Sequence, residues 1–454
     1  NWRIIMTLTK IISAIGNNSS IYPLLVRDCG IEVPAKIYLT HKQNKDDPEI
    51  DRLATRERFW DEYTTSAVWL GGIPLIDKIS NKIIKKLGYN PKVNLKLFKE
   101  ENGIQGINEN LKRFAQIAEK NPKSKEIIEK ALIDLKKAAG NKSGYEKMLA
   151  AKFVAATAIP IAFIGFILPK MIFASSANKI AQLKKEKEKQ KRSQSTAFQG
   201  INNDTFSGMS LKKKKSLSFG GNFISNIANF STLEKMETID GGYAIGRVLT
   251  ARKGADGNRN EAIDIGFKMA GMMYLNYVAP KQIEKLLNKA TLKAFNLDVK
   301  LDPLMLEDKE FLKQIKEGRL ELPKSSKPEV MLEYIDNNPK SLFVKYANKF
   351  EKITMLNEEV RDPRAYINMK KLAEFRNDIE AFAKKAIGTS SGAKMVDKFA
   401  KRAKVVKSVN ILANVGLSSF LLAYCLPKAQ FAFRKLVTGS DLEPGIVNAE
   451  QKKA

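Results

Sequence analysis

Residue types that do chemistry are sparse and poorly spaced along this 454-residue chain. Gly388-Thr389-Ser390-Ser391-Gly392-Ala393-Lys394 has the composition of a phosphate loop, in which backbone N–H groups and a lysine cradle phosphate oxygens. That chemistry needs four residues between the glycines and a Ser or Thr directly after the lysine. Here three intervene, Ala393 precedes Lys394 and Met395 follows it, so the stretch reads as a turn between helices. Asp256-Gly257-Asn258-Arg259-Asn260 imitates the alternating oxygen ligands that open a calcium loop. The sixth and twelfth positions of such a loop are Gly and Glu, but they are Glu261 and Phe267 here, and a turn with Asn260 capping the next helix fits better.

The single histidine, His41, sits in a Thr-His-Lys stretch beside a charged loop, which argues against a His-based triad and marks it as a surface residue, and one histidine cannot build an HExxH zinc motif. Cys29 and Cys425 lie near opposite ends and form neither a CxxC motif nor a disulfide framework, so a reducing compartment is expected. Asp61, Glu62 and Asp264 have no spacing that singles out a catalytic acid. The sequence therefore assigns no catalytic, cofactor-binding or metal-binding residue.

What remains is charge. Lys and Arg number 78 against 49 Asp and Glu, a net +29, which suits an acidic partner: anionic lipid headgroups, nucleic acid or acidic protein. Lys212, Lys213, Lys214 and Lys215 are the candidate anionic-surface site. Each can neutralise a phosphate or contribute about 1 kcal/mol beside anionic lipid. Phe206 and Phe219 are the aromatic residues nearby, too few for a base-stacking platform.

The elements that must position any site are helical. Two apolar runs, 153–169 and 408–427, close on the same tripeptide, as Leu168-Pro169-Lys170 and Leu426-Pro427-Lys428. A spanning helix needs about 20 apolar residues, so both runs read as membrane spans, with Lys170 and Lys428 snorkelling to the headgroups. Asn410, Asn414 and the shortness of the first run are the marks of the alternative, a buried core helix. Pro160 is tolerated in a membrane helix and costs about 3 kcal/mol in a soluble one. Two medium runs, 63–76 and 269–280, are too short to span unaided; if they insert, four segments form two hairpins.

The chain also looks written twice. Asp28-Cys29-Gly30 precedes Ala35 to Thr40 much as Asp240-Gly241-Gly242 precedes Gly246 to Thr250, the medium runs end at Pro74 and Pro280, and both long runs end in Leu-Pro-Lys. The sharpest match is Ile76-Asp77-Lys78-Ile79-Ser80-Asn81-Lys82 against Ile283-Glu284-Lys285-Leu286-Leu287-Asn288-Lys289. Each unit then reads as a short strand or turn, a medium apolar helix, a polar helical connection and a long apolar helix. In the connections, 87–147 and 291–406, apolar residues recur at helical steps, as at Ile107, Leu111, Phe114 and Ile117 or Leu372, Phe375, Ile379 and Phe382.

The expected organisation is a first unit at 6–181, a flexible basic linker at 182–232, a second unit at 233–438 and a polar tail at 439–454. Met6 reads as the native start, 9–15 as a short amphipathic helix, and no cleaved export signal is visible. The fold class is mainly α with little β: a helical membrane-associated protein of two similar halves. Basic residues after the first long run, such as Lys184, Lys185 and Arg192, and before the second, such as Lys401, Arg402 and Lys407, place both flanks on the cytoplasmic side of a bacterial-type inner membrane. The expected role is structural or interaction-based, with the lipid bilayer as partner. The alternative is a soluble or peripheral basic protein that binds nucleic acid or anionic lipid. A transporter ranks third, because no acidic residue lies inside either long apolar run.

Overall fold

A computed structural model describes residues 2–17, 20–45, 48–99, 103–168, 232–253, 259–297, 300–388 and 393–438. They are mainly helical and include no strand, only a single bridge between Met355 and Arg361. The linker at 182–231, with Lys212 to Lys215, and the tail at 439–454 lie outside the described residues.

Proline spacing sets the local pattern. Among the described residues, five five-residue π turns occur: Asp28–Glu32, Val68–Gly72, Phe163–Ile167, Tyr274–Val278 and Leu421–Cys425. In the sequence each is followed, one residue on, by a proline: Pro34, Pro74, Pro169, Pro280 and Pro427. A proline inside a helix lacks the N–H and pushes its ring against the carbonyl four residues back, and a widened turn relieves that clash. The residue before the proline then donates to the carbonyl five back, as Val33 to Asp28, Ala279 to Tyr274 and Leu426 to Leu421.

The helices therefore run on through their prolines. α1 (Trp2–Gly16) and α2 (Tyr22–Arg27) lead through the first π turn into α3 (Val33–Asn44). α4 (Pro48–Ala67) continues through the second into α5 (Ile73–Lys86). The latter stops where Gly88 takes φ 84°, which lets Tyr89 N–H reach the Ile84 carbonyl at 3.1 Å. A polar region carries α6 (Lys96–Lys99), α7 (Ile107–Lys120) and α8 (Lys125–Gly140), and then α9 (Lys142–Ala162) enters the third π turn.

α10 (Thr232–Lys253) is followed by α11 (Arg259–Met273), the fourth π turn and α12 (Ala279–Phe295). A second polar region carries α13 (Lys309–Lys316), α14 (Pro328–Asn337), α15 (Leu342–Phe350) and α16 (Met369–Gly388). α17 (Ala393–Phe420) then runs through the last π turn into α18 (Leu426–Thr438).

Helices pair within each of these two segments of the chain. α3 lies along α4 and α10 along α11; α5 packs on α9 and α12 on α17. The halves also interlock, with α10 against α9 and both α1 and α2 against α17. Gly242 makes the first of these contacts possible, because a Cβ there would stand 2.6 Å from the Ile161 side chain.

The two polar regions form one cap. Arg361, fully buried, lies over the Phe114 ring and donates from Nε to Asp336 at 2.8 Å, while Arg113 of α7 holds the other Asp336 oxygen at 2.9 Å. Gln105 makes a reciprocal pair with the Ile367 backbone at 2.8 and 2.9 Å, and Arg364 reaches Asp134 of α8 at 2.7 Å. Each half thus supplies buried polar partners to the other, on the scale that makes such networks costly to break. Asp308 caps α13 and accepts from Tyr346 at 2.6 Å and Lys345 at 2.9 Å. Burial pushes its carboxyl up, but these bonds outweigh burial and hold it below the usual carboxylate value.

Several local expectations change. The short strand or turn expected at 35–40 and 246–250 is helix, within α3 and α10; at 35–40 the π turn absorbs Pro34 without breaking the run. Asn260 lies in the first turn of α11 rather than capping it, since that helix opens at Arg259. The expected helix at 9–15 is part of the longer α1. Gly388 ends α16 and Ala393 opens α17, with 389–392 outside the described residues. Among the described residues one helical run, Met395–Val437, is long and apolar enough to cross a membrane, where two were expected.

Candidate functional site

Among the described residues, His41, Cys29, Cys425 and Asp264 come together in no common site, and Lys212 to Lys215 lie outside the described residues. His41 is exposed, with Nδ1 2.8 Å from Asp51, and Cys29 and Cys425 are free thiols. Asp264, a carboxylate without assignment, is the buried partner of Arg434 at 2.8 Å. No group of metal-ligating side chains occurs among the described residues.

A site emerges instead where the two halves meet. Asp28 opens the first π turn, and Asp240 sits one-third of the way along α10. Both line one cavity of about 90 Å³, together with Glu32, Lys36 and Glu62. The cavity holds several waters or a small solute. Its remaining wall mixes soft apolar side chains, Trp69, Ile164, Met269, Met272 and Met273, with the polar Thr65, Ser66, Tyr243 and Asn276. Trp69, Ile164 and the methionines come from the apolar runs 63–76, 153–169 and 269–280, so the cavity sits at the level of the π turns.

The charges divide into a settled and an unsettled group. Lys36 bridges Glu32 at 2.7 Å and Glu62 at 3.0 Å, and Arg58 adds a second cation to Glu62 at 3.3 Å. Asp28 and Asp240 are different. Asp28 accepts from Ser66 Oγ at 2.5 Å and Asp240 from Tyr277 OH at 2.5 Å, and among the described residues neither has a cation within ion-pair distance. The nearby buried guanidinium of Arg27 is turned to carbonyls, donating to Pro23 at 3.2 Å and Asn276 at 3.3 Å. Carboxylates this poorly compensated are costly to bury, and they are retained where something binds them.

Two further ion pairs flank the site. Asp77 of α5 is held by Lys235 at 2.6 Å and Lys152 at 3.7 Å. Glu284 of α12 is held by Lys407 of α17 at 3.0 Å. These are the acids of the two Ile-[Asp/Glu]-Lys motifs, and Lys152 and Lys407 lie on the helices that lead to the two Leu-Pro-Lys tripeptides.

Sequence reasoning passed over Asp28 and Asp240, although both mark the first resemblance between halves. The usable signal was a carboxylate at the same place in each half, directly before an apolar stretch. Compared with known proteins, the chain matches no family model, no curated sequence and no solved structure.

Proposed function

We propose that this chain is an integral membrane protein built by internal duplication, whose bundle handles a small solute at the interface between its halves. The observation that carries the reading is an inverted polarity. Large apolar side chains face outward along the bundle, as at Leu8, Ile79, Ile83, Ile245, Leu249, Leu412 and Phe420, while carboxylates face an internal cavity. Over 88–141 and 297–392, which form the cap, Ile127, Ile133 and Ile387 are the exposed large hydrophobics among the described residues. A lipid-facing surface requires this contrast, and intramembrane ionisable groups turned inward mark solute paths.

Duplication is supported by the matched helix pairings, the proline after each π turn and the acid–lysine pairs Asp77–Lys152 and Glu284–Lys407. Repeats that frame a midplane site are the usual logic of membrane carriers. The net charge of +29 suits cytoplasmic placement of the basic flanks against anionic headgroups.

Cysteine labelling tests the reading. With Cys29 and Cys425 replaced by serine, single cysteines are placed at Leu412, Ile245 and Ile133, whose exposures of 51, 63 and 54 % are comparable. In intact membranes a water-soluble maleimide should label position 133 and spare 412 and 245. Equal labelling of all three would overturn the membrane reading.

A further inference from the structure

We propose that two lysine stripes, where α5 and α12 run into the cap, form a collar that binds anionic phospholipid headgroups at the bilayer surface. The inference rests on the reading above that the bundle is embedded, and it adds a site and a lipid class. Lys78, Lys82 and Lys86 follow one another at four-residue steps on α5, and Lys285, Lys289 and Lys293 do so on α12. All six are exposed, and that spacing places them on one face of each helix. Like charges four residues apart destabilise a helix. Each helix carries a single acid, which is turned to other partners: Asp77 to Lys235 and Lys152, and Glu284 to Lys407. The stripes are thus left without a counter-charge on their own helices, and an anionic partner relieves their repulsion.

The apolar surface beside the lysines selects the partner. Ile79 and Ile83 on α5, Leu87 just past its end and Leu286 on α12 are each more than half exposed. A bilayer surface meets both kinds of side chain, because lysine stems lie along apolar surface while their ammonium groups reach the headgroups. A nucleic acid meets only the charge, since aliphatic side chains offer its bases no stacking surface. The start of α17 extends the second stripe: Lys398, Lys401 and Arg402 are exposed there, and the Arg402 guanidinium lies 5.8 Å from the Phe295 ring at the end of α12. Basic clusters directly beside a spanning helix attract anionic lipid, each residue near the surface adding about fivefold in affinity.

The test uses the full chain purified in a neutral detergent. Phosphatidylglycerol or phosphatidylcholine is added at rising mole fraction, and the thermal unfolding midpoint is read. Phosphatidylglycerol should raise the midpoint well above the value reached with phosphatidylcholine. Lys82→Gln, Lys86→Gln, Lys289→Gln and Lys293→Gln combined should move the half-saturating mole fraction of phosphatidylglycerol up by more than tenfold. The corresponding Lys→Arg set should respond like the parent. So should Lys120→Gln, Lys123→Gln, Lys136→Gln and Lys137→Gln combined, an equal loss of exposed charge on the cap. Should the first glutamine set misfold, Lys289→Gln with Lys293→Gln carries the same comparison. Equal midpoints with the two lipids in the parent, or an equal loss of response in the collar and cap sets, would overturn the proposal. A labelled DNA duplex is the competing probe: binding that the collar set loses and phosphatidylglycerol does not displace would assign the stripes to nucleic acid and overturn it as well. Absence of lipid preference, with positions 412 and 245 protected from maleimide in membranes, would leave the embedded bundle standing and remove only the lipid class.

Discussion

Lys235 Nζ reaches both carboxylate oxygens of Asp77, at 2.9 and 2.6 Å. The bond ties α10 of the second half to α5 of the first, in a place where the Lys235 side chain is 8 % exposed. Lys152 also approaches this carboxylate, at 3.7 Å, so Asp77 is the point at which three helices are locked together. Removing one member of such a pair strands a charge, whereas removing both and filling the space is close to neutral.

Asp77→Leu should therefore destabilise the protein by roughly 3 kcal/mol, because it strands Lys235 and Lys152, and Asp77→Leu with Lys235→Met and Lys152→Met should recover most of that loss. Thermal unfolding in detergent measures both. Equal loss in the single and triple variants would show that shape rather than charge holds the contact.

In the cap, Asp336 serves two arginines, Arg113 and the fully buried Arg361. Asp336→Ala should cost about 3–5 kcal/mol, since the Arg361 guanidinium is left buried without its counter-ion. Denaturant unfolding followed by circular dichroism reads the change. A cost under about 1 kcal/mol, as for an exposed pair, would contradict this packing.

Much of this architecture is legible in the sequence. The helical class and the two helical polar connections follow from hydrophobic period. What escaped is what depends on three dimensions. A short strand or turn was expected where α3 lies, but the π turn at Asp28–Glu32 lets the helix run through Pro34. The carboxylates were sought inside the long apolar runs, whereas Asp28 and Asp240 reach the cavity from neighbouring helices. The cap joins residues as distant as Gln105 and Ile367, a pairing that no local pattern encodes.

Acid should weaken the cap through Asp308. Its folded carboxyl lies below the ordinary value, so its stabilisation is complete above about pH 4, the unfolded value, and is lost as pH falls through the folded one. Asp308→Asn keeps a capping side chain but not the charge. The variant should unfold more easily than the parent at pH 7, and the gap should close as pH falls through the lowered folded value. A gap independent of pH would assign the effect to geometry instead.

Outward-facing leucines of α17 give a more direct reading of their surroundings. Leu412→Arg should cost about 2.5–3.5 kcal/mol of insertion if that face meets lipid, whereas Ile133→Arg on the cap should stay within about 0.5 kcal/mol. The fraction of each variant integrated into membranes supplies the comparison. Tolerance of arginine at both positions would place both in water.

Extraction of membranes tests the central claim most directly. Membranes carrying the full chain are washed with high salt, then with alkaline carbonate, then with detergent. A bundle embedded through its apolar face should stay in the pellet through the first two washes and leave only with detergent. Release by salt or carbonate would show that the basic surface alone holds the protein there, and would contradict the embedded bundle.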